Sequence, residues 1–570
     1  MNYWPAAGPT SFSRILNKGE PGSSSESQLP RGSQTSTGKW LPFISLLLVF
    51  LATACSPNQG GADQGLDKTE NAAQASSSPT APASSFTQKL DSNLAHLLDP
   101  LLDNSEFATA RWGVSVISLS DGRIIYERNG DKLFTPASNM KIYTTAVALD
   151  LLGADYRWRT SVYSGADPDA TGTIQGDLIL YGRGAPDLLS LNRKDNSNTL
   201  EALALAFEQR GVKRVHGNVI GDESYFRGEE IGQGWQWNDL QWYFGAEASA
   251  LSVNGNEVEI SIRPPRGSEE KPTITSNDVD GYVHPINDVA MVKRGERFTI
   301  GVKRGLSDND VRVWGELPLG SVGYGVRLAV HRPALWAARL FVRALKERGI
   351  NIDGTASSRD WRMPQTARFN PDSSHELASV ISKPLSQIIE VTNKESVNLN
   401  AELILRTLGR ERGAMLSLPE TPGRERGDDE AGAAVVRLWL SHAGVTDDRI
   451  AIQDGSGLSR LDLVTPRASA QLLLAISRTA SSGVFRGSLP IAGTDGTLEG
   501  RLQSLAGKVL AKTGSLTYDN SLSGYVTASN GEIFSFSIMC NDFVGRGGSV
   551  KLIDQVVSVL AGYPENTGKP

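Results

Sequence analysis

Three short runs carry residue types that can act together on a carbonyl. Ser138 and Lys141 stand three apart in "TPASNMKIYTTAVALDLLG", residues 135–153. Residues at that spacing are neighbours on a helix, so a hydroxyl nucleophile and an amine base can meet. Thr135 is placed to cap the helix and Pro136 to open its first turn. A lysine acts as a base only where burial or a neighbouring charge disfavours its ammonium form, and this run by itself supplies neither. Ser-x-x-Lys also recurs at 36–39 and 268–271, and Ser-x-Asn at 190–192 and 252–254. Ser396-Val397-Asn398 and Lys512-Thr513-Gly514 add what the first run lacks, and Lys-Thr-Gly occurs once. The signal lies in all three in order, each in a suitable context.

Those contexts come from the hydrophobic pattern. "FTQKLDSNLAHLLDPLLD" reads as an amphipathic helix, and "RWGVSVISLSDGRIIYERNG" as two strands joined at Asp121-Gly122. The Ser138 helix follows. From about 157 to 357 short strands such as "GDLILYG" and "HGNVIGD" alternate with turns and a helix, and 258–322 is strand-like and turn-rich. "PALWAARLFVRALKERG" closes that region as a helix. Helical periodicity then returns, with Ser396-Val397-Asn398 in the short turn between two helices. "NSLSGYVTAS" and "EIFSFSIMC" are strands, a last helix follows, and Lys512-Thr513-Gly514 leads into an edge of that sheet. Strands at both ends with helices between them predict one discontinuous α+β domain carrying mixed and β-rich insertions.

The order Ser138-x-x-Lys141, Ser396-x-Asn398, Lys512-Thr513-Gly514 matches the active-site serine penicillin-recognising enzymes. The long interval from Ser138 to Ser396 narrows this to a resemblance to the class C low-molecular-mass penicillin-binding proteins, D-alanyl-D-alanine carboxypeptidase/endopeptidases. "LGADYRWRT", "GNVIGDESYF", "GWQWNDLQWYFGAEASALSVNGN", "DGSGLSR" and "SLPIAGTDGTLEGRL" are also similar to that family's segments. The resemblance implies a β-lactamase/transpeptidase-like catalytic domain at 86–156 and 358–570. It further implies an inserted domain at 157–257 and 323–357, and a β-rich one at 258–322. Val397 departs from the aspartate common at its position. "GAPDL" at 184–188 breaks an expected order, so Asp187 is assigned no role.

The resemblance implies a serine D,D-peptidase acting on peptidoglycan stem peptides and acylated by β-lactams. Ser138 is then the nucleophile and Lys141 its base. Ser396 relays the proton to the leaving amine, and Asn398 holds Lys141 or the substrate amide. Lys512 supplies a second cation, depressing Lys141 by like-charge repulsion, and with Thr513 and Ser515 binds the terminal carboxylate. The N–H groups of Ser138 and Ser515 form an oxyanion hole, and Gly514 keeps the strand clear for substrate. Asp239 and Arg460 face the stem peptide, with Phe244 packing beside them. No G-x-S-x-G elbow occurs, which counts against a Ser-His-Asp hydrolase. A β-lactamase-like hydrolase, told apart by fast β-lactam turnover, and a non-catalytic envelope scaffold are the rival readings.

The rest of the chain fits an exported protein. Arg31 and Lys39 precede "WLPFISLLLVFLATAC", an apolar run shorter than the ~20 residues of a membrane span. Residues 1–55 therefore read as a signal peptide. Two cuts are open at the same bond. Ala52-Thr53-Ala54 suits ordinary signal peptidase, and small residues before Cys55 resemble a bacterial lipobox that would leave Cys55 lipidated. The stretch ahead of Arg31 is long for a leader, so a start codon further in is expected. Residues 56–85 are a polar Ser/Ala/Gly/Pro tether. A net charge of −6 argues against nucleic-acid binding. Two cysteines offer no disulfide framework, and six scattered histidines form no metal motif, so no metal or other cofactor is expected.

Overall fold

Period-two alternation along the last strands builds the sheet that carries the site. The computed structural model describes residues 91–564 apart from 192–196, 266–270, 365–367, 417–425, 446–448 and 545–547. The expected signal peptide, tether and Cys55 lie outside the described residues. The chain opens with α1 (Ser92–Asp103), capped by the Asp91 carboxylate, then β1 (Arg111–Ser118), β2 (Ile124–Arg128) and α2 (Met140–Leu152). Gly122, with φ +76°, makes the turn between β1 and β2.

A long inserted region follows. It comprises β3 (Arg159–Ser164), β4 (Thr173–Gln175), β5 (Leu178–Tyr181), α3 (Leu200–Gln209), β6 (Arg214–His216) and β7 (Val219–Asp222). Next come β8 (Glu257–Arg263), β9 (Thr273–Ser276), β10 (His284–Val292), β11 (Gly301–Arg304), β12 (Asp310–Pro318) and β13 (Tyr324–Ala329). The region ends with α4 (Pro333–Glu347), β14 (Asn351–Ile352), β15 (Ala356–Arg359) and β16 (His375–Ile381). The chain then runs through α5 (Leu385–Lys394), α6 (Asn398–Arg412), α7 (Asp428–His442), α8 (Pro466–Ile476) and α9 (Ser482–Ser488). It closes with β17 (Val509–Leu516), β18 (Asp519–Thr527), β19 (Ile533–Asn541) and α10 (Gly548–Gly562).

The terminal sheet has the order β17-β18-β19-β1-β2, antiparallel throughout. β1 runs beside β19 from the Arg111–Asn541 pair to the Ser118–Phe534 pair. Phe534, Phe536, Ile538 and Cys540 of β19 bury against α1 and α10, each large side chain worth about 2 kcal/mol. The alternate residues Ser535, Ser537 and Met539 face the helical layer. The small serines let helices approach closely, and the Ser535 hydroxyl donates to the Ala470 carbonyl of α8 at 3.1 Å. The catalytic-side helices α2 and α5–α8 form one continuous core on this face.

The fold is α+β with inserted sheets, as the pattern predicts. One inserted sheet has the order β15-β7-β5-β3-β16, and two three-stranded sheets of order β13-β8-β9 and β10-β12-β11 make up the β-rich part. Two strand pairings reach across the expected boundaries. β16 pairs antiparallel with β3, beyond the expected return at 358, and β13 pairs with β8 beyond 322. Sequence pattern finds such strands but does not tell which sheet recruits them.

Candidate active site

Ser138 does not lie in α2 itself. It occupies a single 3₁₀ turn, Ala137–Asn139, that runs straight into the helix. Thr135 caps nothing by its side chain. Its N–H donates to the Asn541 side-chain oxygen at 2.9 Å, and the Asn541 amide donates back to its carbonyl at 3.2 Å. A residue from the far end of the chain thus sets the entry to the turn. Ala137 takes φ +49°, a left-handed conformation costing a non-glycine residue about 1 kcal/mol or more.

Lys141, in the first turn of α2, is completely buried. Its Nζ donates to Ser138 Oγ at 2.9 Å, to Asn398 Oδ1 at 2.6 Å and to the Ser456 carbonyl at 2.8 Å. Burial lowers the amine to about 7, against the opposing pull of Asp454, Glu402 and Asp462. Asn398 opens α6, and its Nδ2 donates to the Phe244 carbonyl at 2.8 Å. One amide therefore bridges the lysine and the inserted region. Ser396, at φ +58° between α5 and α6, accepts from Lys512 Nζ at 2.9 Å.

Lys512 is also completely buried, on the edge strand β17. Its other contact is the Thr513 carbonyl at 2.9 Å. Burial and the neighbouring Lys141 charge push it well below the usual lysine range. Burial lowers both amines, and the like-charge repulsion between them is mutual.

Gly514 also answers a packing constraint. A Cβ there would lie 2.7 Å from the Pro136 carbonyl oxygen and 3.0 Å from the Ser138 nitrogen. The glycine lets β17 press against the serine turn. Ser515 is exposed, and its hydroxyl donates to the Asn520 side chain at 2.8 Å. The Thr513 hydroxyl donates to Thr497 Oγ1 at 2.8 Å, bringing in a residue of the segment "GTDGTLEGR".

Asp239 and Arg460 are close enough for the Arg460 charge to act on the Asp239 carboxyl, which burial raises on balance. They do not pair directly. Arg460 ion-pairs with Asp519 at the start of β18 and donates to the Thr517 carbonyl at 2.8 Å. Phe244 contributes its backbone carbonyl to Asn398, and its ring stacks edge-on to Tyr243 at 5.5 Å.

Sequence reasoning missed the carboxylates behind the lysine. Asp454, Glu402 and Asp462 are all buried, and Glu402 is pushed up to about 8 by burial and the neighbouring Asp454. Glu402 stands one helical turn after Asn398, a spacing that places both on one face of α6 and was readable. Trp235, whose indole N–H donates to Asp454 at 2.9 Å, gave no local signal.

The family model described as D-Ala-D-Ala carboxypeptidase 3 (S13) matches residues 94–563. The D-alanyl-D-alanine carboxypeptidase of Actinomadura sp. (strain R39) is 31% identical over 486 residues, covering 82% of this chain and 84% of its own. The crystal structure of penicillin binding protein 4 (dacB) from Haemophilus influenzae has a TM-score of 0.68 at 25% identity, covering 82% of this chain and 99% of that one. The same protein complexed with a β-lactam gives a TM-score of 0.63 at 23% identity, covering 82% and 97%.

Proposed function

The chain belongs to the D-Ala-D-Ala carboxypeptidase 3 (S13) family, and from that premise we propose how its residues perform the reaction. It is a serine-type carboxypeptidase that hydrolyses the D-Ala-D-Ala end of peptidoglycan stem peptides. Ser138 Oγ attacks the carbonyl of the penultimate D-alanine while its proton passes to Lys141. The observation that carries this is the buried Lys141 amine, 2.9 Å from Ser138 Oγ and lowered to about 7. An amine so placed is half neutral near physiological pH, where general-base catalysis is most efficient.

The developing oxyanion is received by the N–H groups of Ser138 and Ser515. Such donors are typically worth about 3 kcal/mol each. The C–N bond breaks, and the departing D-alanine takes a proton through Ser396, which Lys512 holds in place. Lys512, with Thr513 and Ser515, receives the terminal carboxylate. Water then hydrolyses the ester, with Lys141 again taking a proton. A β-lactam, the ligand class bound in the Haemophilus influenzae structure, presents a strained amide to the same serine and leaves it acylated.

Endopeptidase work on cross-links is a further part of the proposal. The Asp239 carboxylate is half-buried and bonded to no side chain among the described residues, while Arg460 is engaged by Asp519. Asp239 is therefore available to the ammonium of a diamino acid. Cys55, beyond the described residues, is proposed as a lipid anchor holding the enzyme at the cell envelope where its substrate lies.

Labelling with a fluorescent penicillin and release of D-alanine from a stem pentapeptide test the core of this. Both are expected of the wild type and lost in Ser138→Ala. An unlabelled, folded wild type would refute it. Weighing the products from cross-linked muropeptides tests the endopeptidase part. For the anchor, Cys55→Ala is expected to shift the protein from the membrane to the soluble fraction. An unchanged distribution rejects lipidation.

A further inference from the structure

Lys141's third contact leads away from the reacting atoms. The Ser456 carbonyl that accepts from it sits in the turn 454–457, wedged between α6 and the serine turn. A Cβ on Gly455 would come within 2.4 Å of the Ala401 carbonyl oxygen of α6, and one on Gly457 within 1.8 Å of the Ala137 carbonyl oxygen. Asp454, fully buried, closes this turn from inside. Its Oδ1 accepts from the N–H groups of Ser456 at 3.1 Å and Gly457 at 2.6 Å, and its Oδ2 from Ser459 N–H at 2.7 Å. Glu402 Oε1 adds bonds from Gly455 N–H at 3.1 Å and Ser456 N–H at 2.9 Å.

One donor to Asp454 comes from elsewhere. The indole N–H of Trp235, on the inserted region, reaches Oδ2 at 2.9 Å. Two further hydrogen bonds dock the same loop just past that turn. Ser459 Oγ donates to the Gln233 carbonyl at 2.6 Å, and Arg460 N–H to the Gly234 carbonyl at 3.4 Å. A continuous chain therefore runs from the insert to the base: Trp235, Asp454, the Ser456 carbonyl, Lys141.

We propose that Trp235 and Asp454 are positioning residues for Lys141. Asp454 fixes the turn whose Ser456 carbonyl holds Nζ, and Trp235 offsets part of the Asp454 charge, so that docking of the inserted region governs the base. The proposal rests on Lys141 being the base of the carboxypeptidase reaction.

The groups facing Lys141 favour this division of work. Ser138 and Asn398 are neutral, and Lys512 stands across from it on β17. Of the three carboxyls around the amine, Asp454 favours its charged form most, ahead of Glu402 on α6 and Asp462. Burial drives Glu402 and Asp462 towards their neutral forms, and Arg406 on α6 acts on Glu402.

Two variants then have opposite effects on the pH dependence of Ser138 acylation, measured with a fluorescent penicillin. Asp454→Asn keeps the shape and removes the charge, so Lys141 loses its proton more readily and the acid limb falls by about one pH unit. Trp235→Phe keeps the ring and removes only the N–H. The less shielded carboxylate then holds the proton on Lys141, and the limb rises. Limbs moving apart support the proposal. Limbs that stay put, or move together, at reduced rate mean a merely structural turn and overturn it. If Asp454→Asn does not fold, Trp235→Phe decides alone, by a limb that rises or one that does not. A wild type that never labels sinks the carboxypeptidase reading instead, which is a distinguishable failure.

Discussion

The two buried lysines of the site have the same side chain and the same complete burial, yet their surroundings differ. Lys141 lies among a carbonyl, an amide oxygen, a hydroxyl and the field of three carboxyls. Lys512 has a hydroxyl, its neighbour's carbonyl and the repelling charge of Lys141. Burial alone drives both towards the neutral amine. The carboxyls hold Lys141 near 7, where a base works, whereas among the described residues no carboxyl opposes the fall of Lys512. The difference teaches that one lysine carries its counter-charge within the protein, and under the proposed mechanism the other would receive it with the substrate's carboxylate.

The largest expected effect comes from Lys141. Lys141→Met should lower acylation about 10³-fold for every substrate, with or without a carboxylate. In the wild type, neutral amine is lost as pH falls through about 7, so kcat/KM should drop on the acid side and level off above it. A wild-type profile flat between pH 5 and 9 would remove Lys141 from the role of base.

Lys512 comes next, and its effect should depend on the ligand. Lys512→Met should cost a D-Ala-D-Ala peptide about tenfold to a hundredfold in kcat/KM, in line with the loss of a charged hydrogen bond. The same peptide as its methyl ester should suffer much less. Because Lys512 is pushed well down in the free enzyme, an incoming carboxylate raises it again, and binding should take up a proton. Titration calorimetry of an uncleavable D-Ala-D-Ala analogue in buffers of different ionisation enthalpy measures that uptake. Heats independent of buffer would show Lys512 already charged and erase the contrast between the lysines.

Smaller effects should follow at the supports. Gly457, at φ +79°, stands against the Ala137 carbonyl, so Gly457→Ala should destabilise the protein by about 2 kcal/mol, read as a lower midpoint in urea. Arg460→Ala should cost about 1 to 2 kcal/mol, since it leaves the buried Asp519 carboxylate without its ion-pair partner. A larger loss in catalysis than in stability there would make Arg460 a substrate residue after all.

The five motif side chains were legible because they fall in three short runs. Ser138 and Lys141 are neighbours on one turn, Asn398 opens a helix, and Lys512 lies on an apolar edge strand. What surrounds them was not. Asp454, Trp235 and the Phe244 carbonyl reach the site from segments far apart in the chain, and nothing local to any of them announces the meeting. Thr135 misled for the same reason, since its capping composition is overruled by Asn541 from β19. The strands of the inserted region were legible as strands, but their sheet partners depend on contacts that periodicity does not record.

The pairing of β1 with β19 has a consequence for when this molecule becomes an enzyme. β1 precedes Ser138 and β19 follows Lys512, so the strand that flanks the nucleophile finds its neighbour only after nearly the whole chain has been made. Closing so long a loop is entropically costly and slow compared with local folding. The inserted region has all of its own strands in hand well before that. Asn541, which sets the entry to the serine turn, arrives with the same late strand. A partly synthesised or C-terminally clipped chain would therefore hold a folded insert beside a serine with no Lys512 and no settled backbone. Reactivity is delivered by the last strands to arrive.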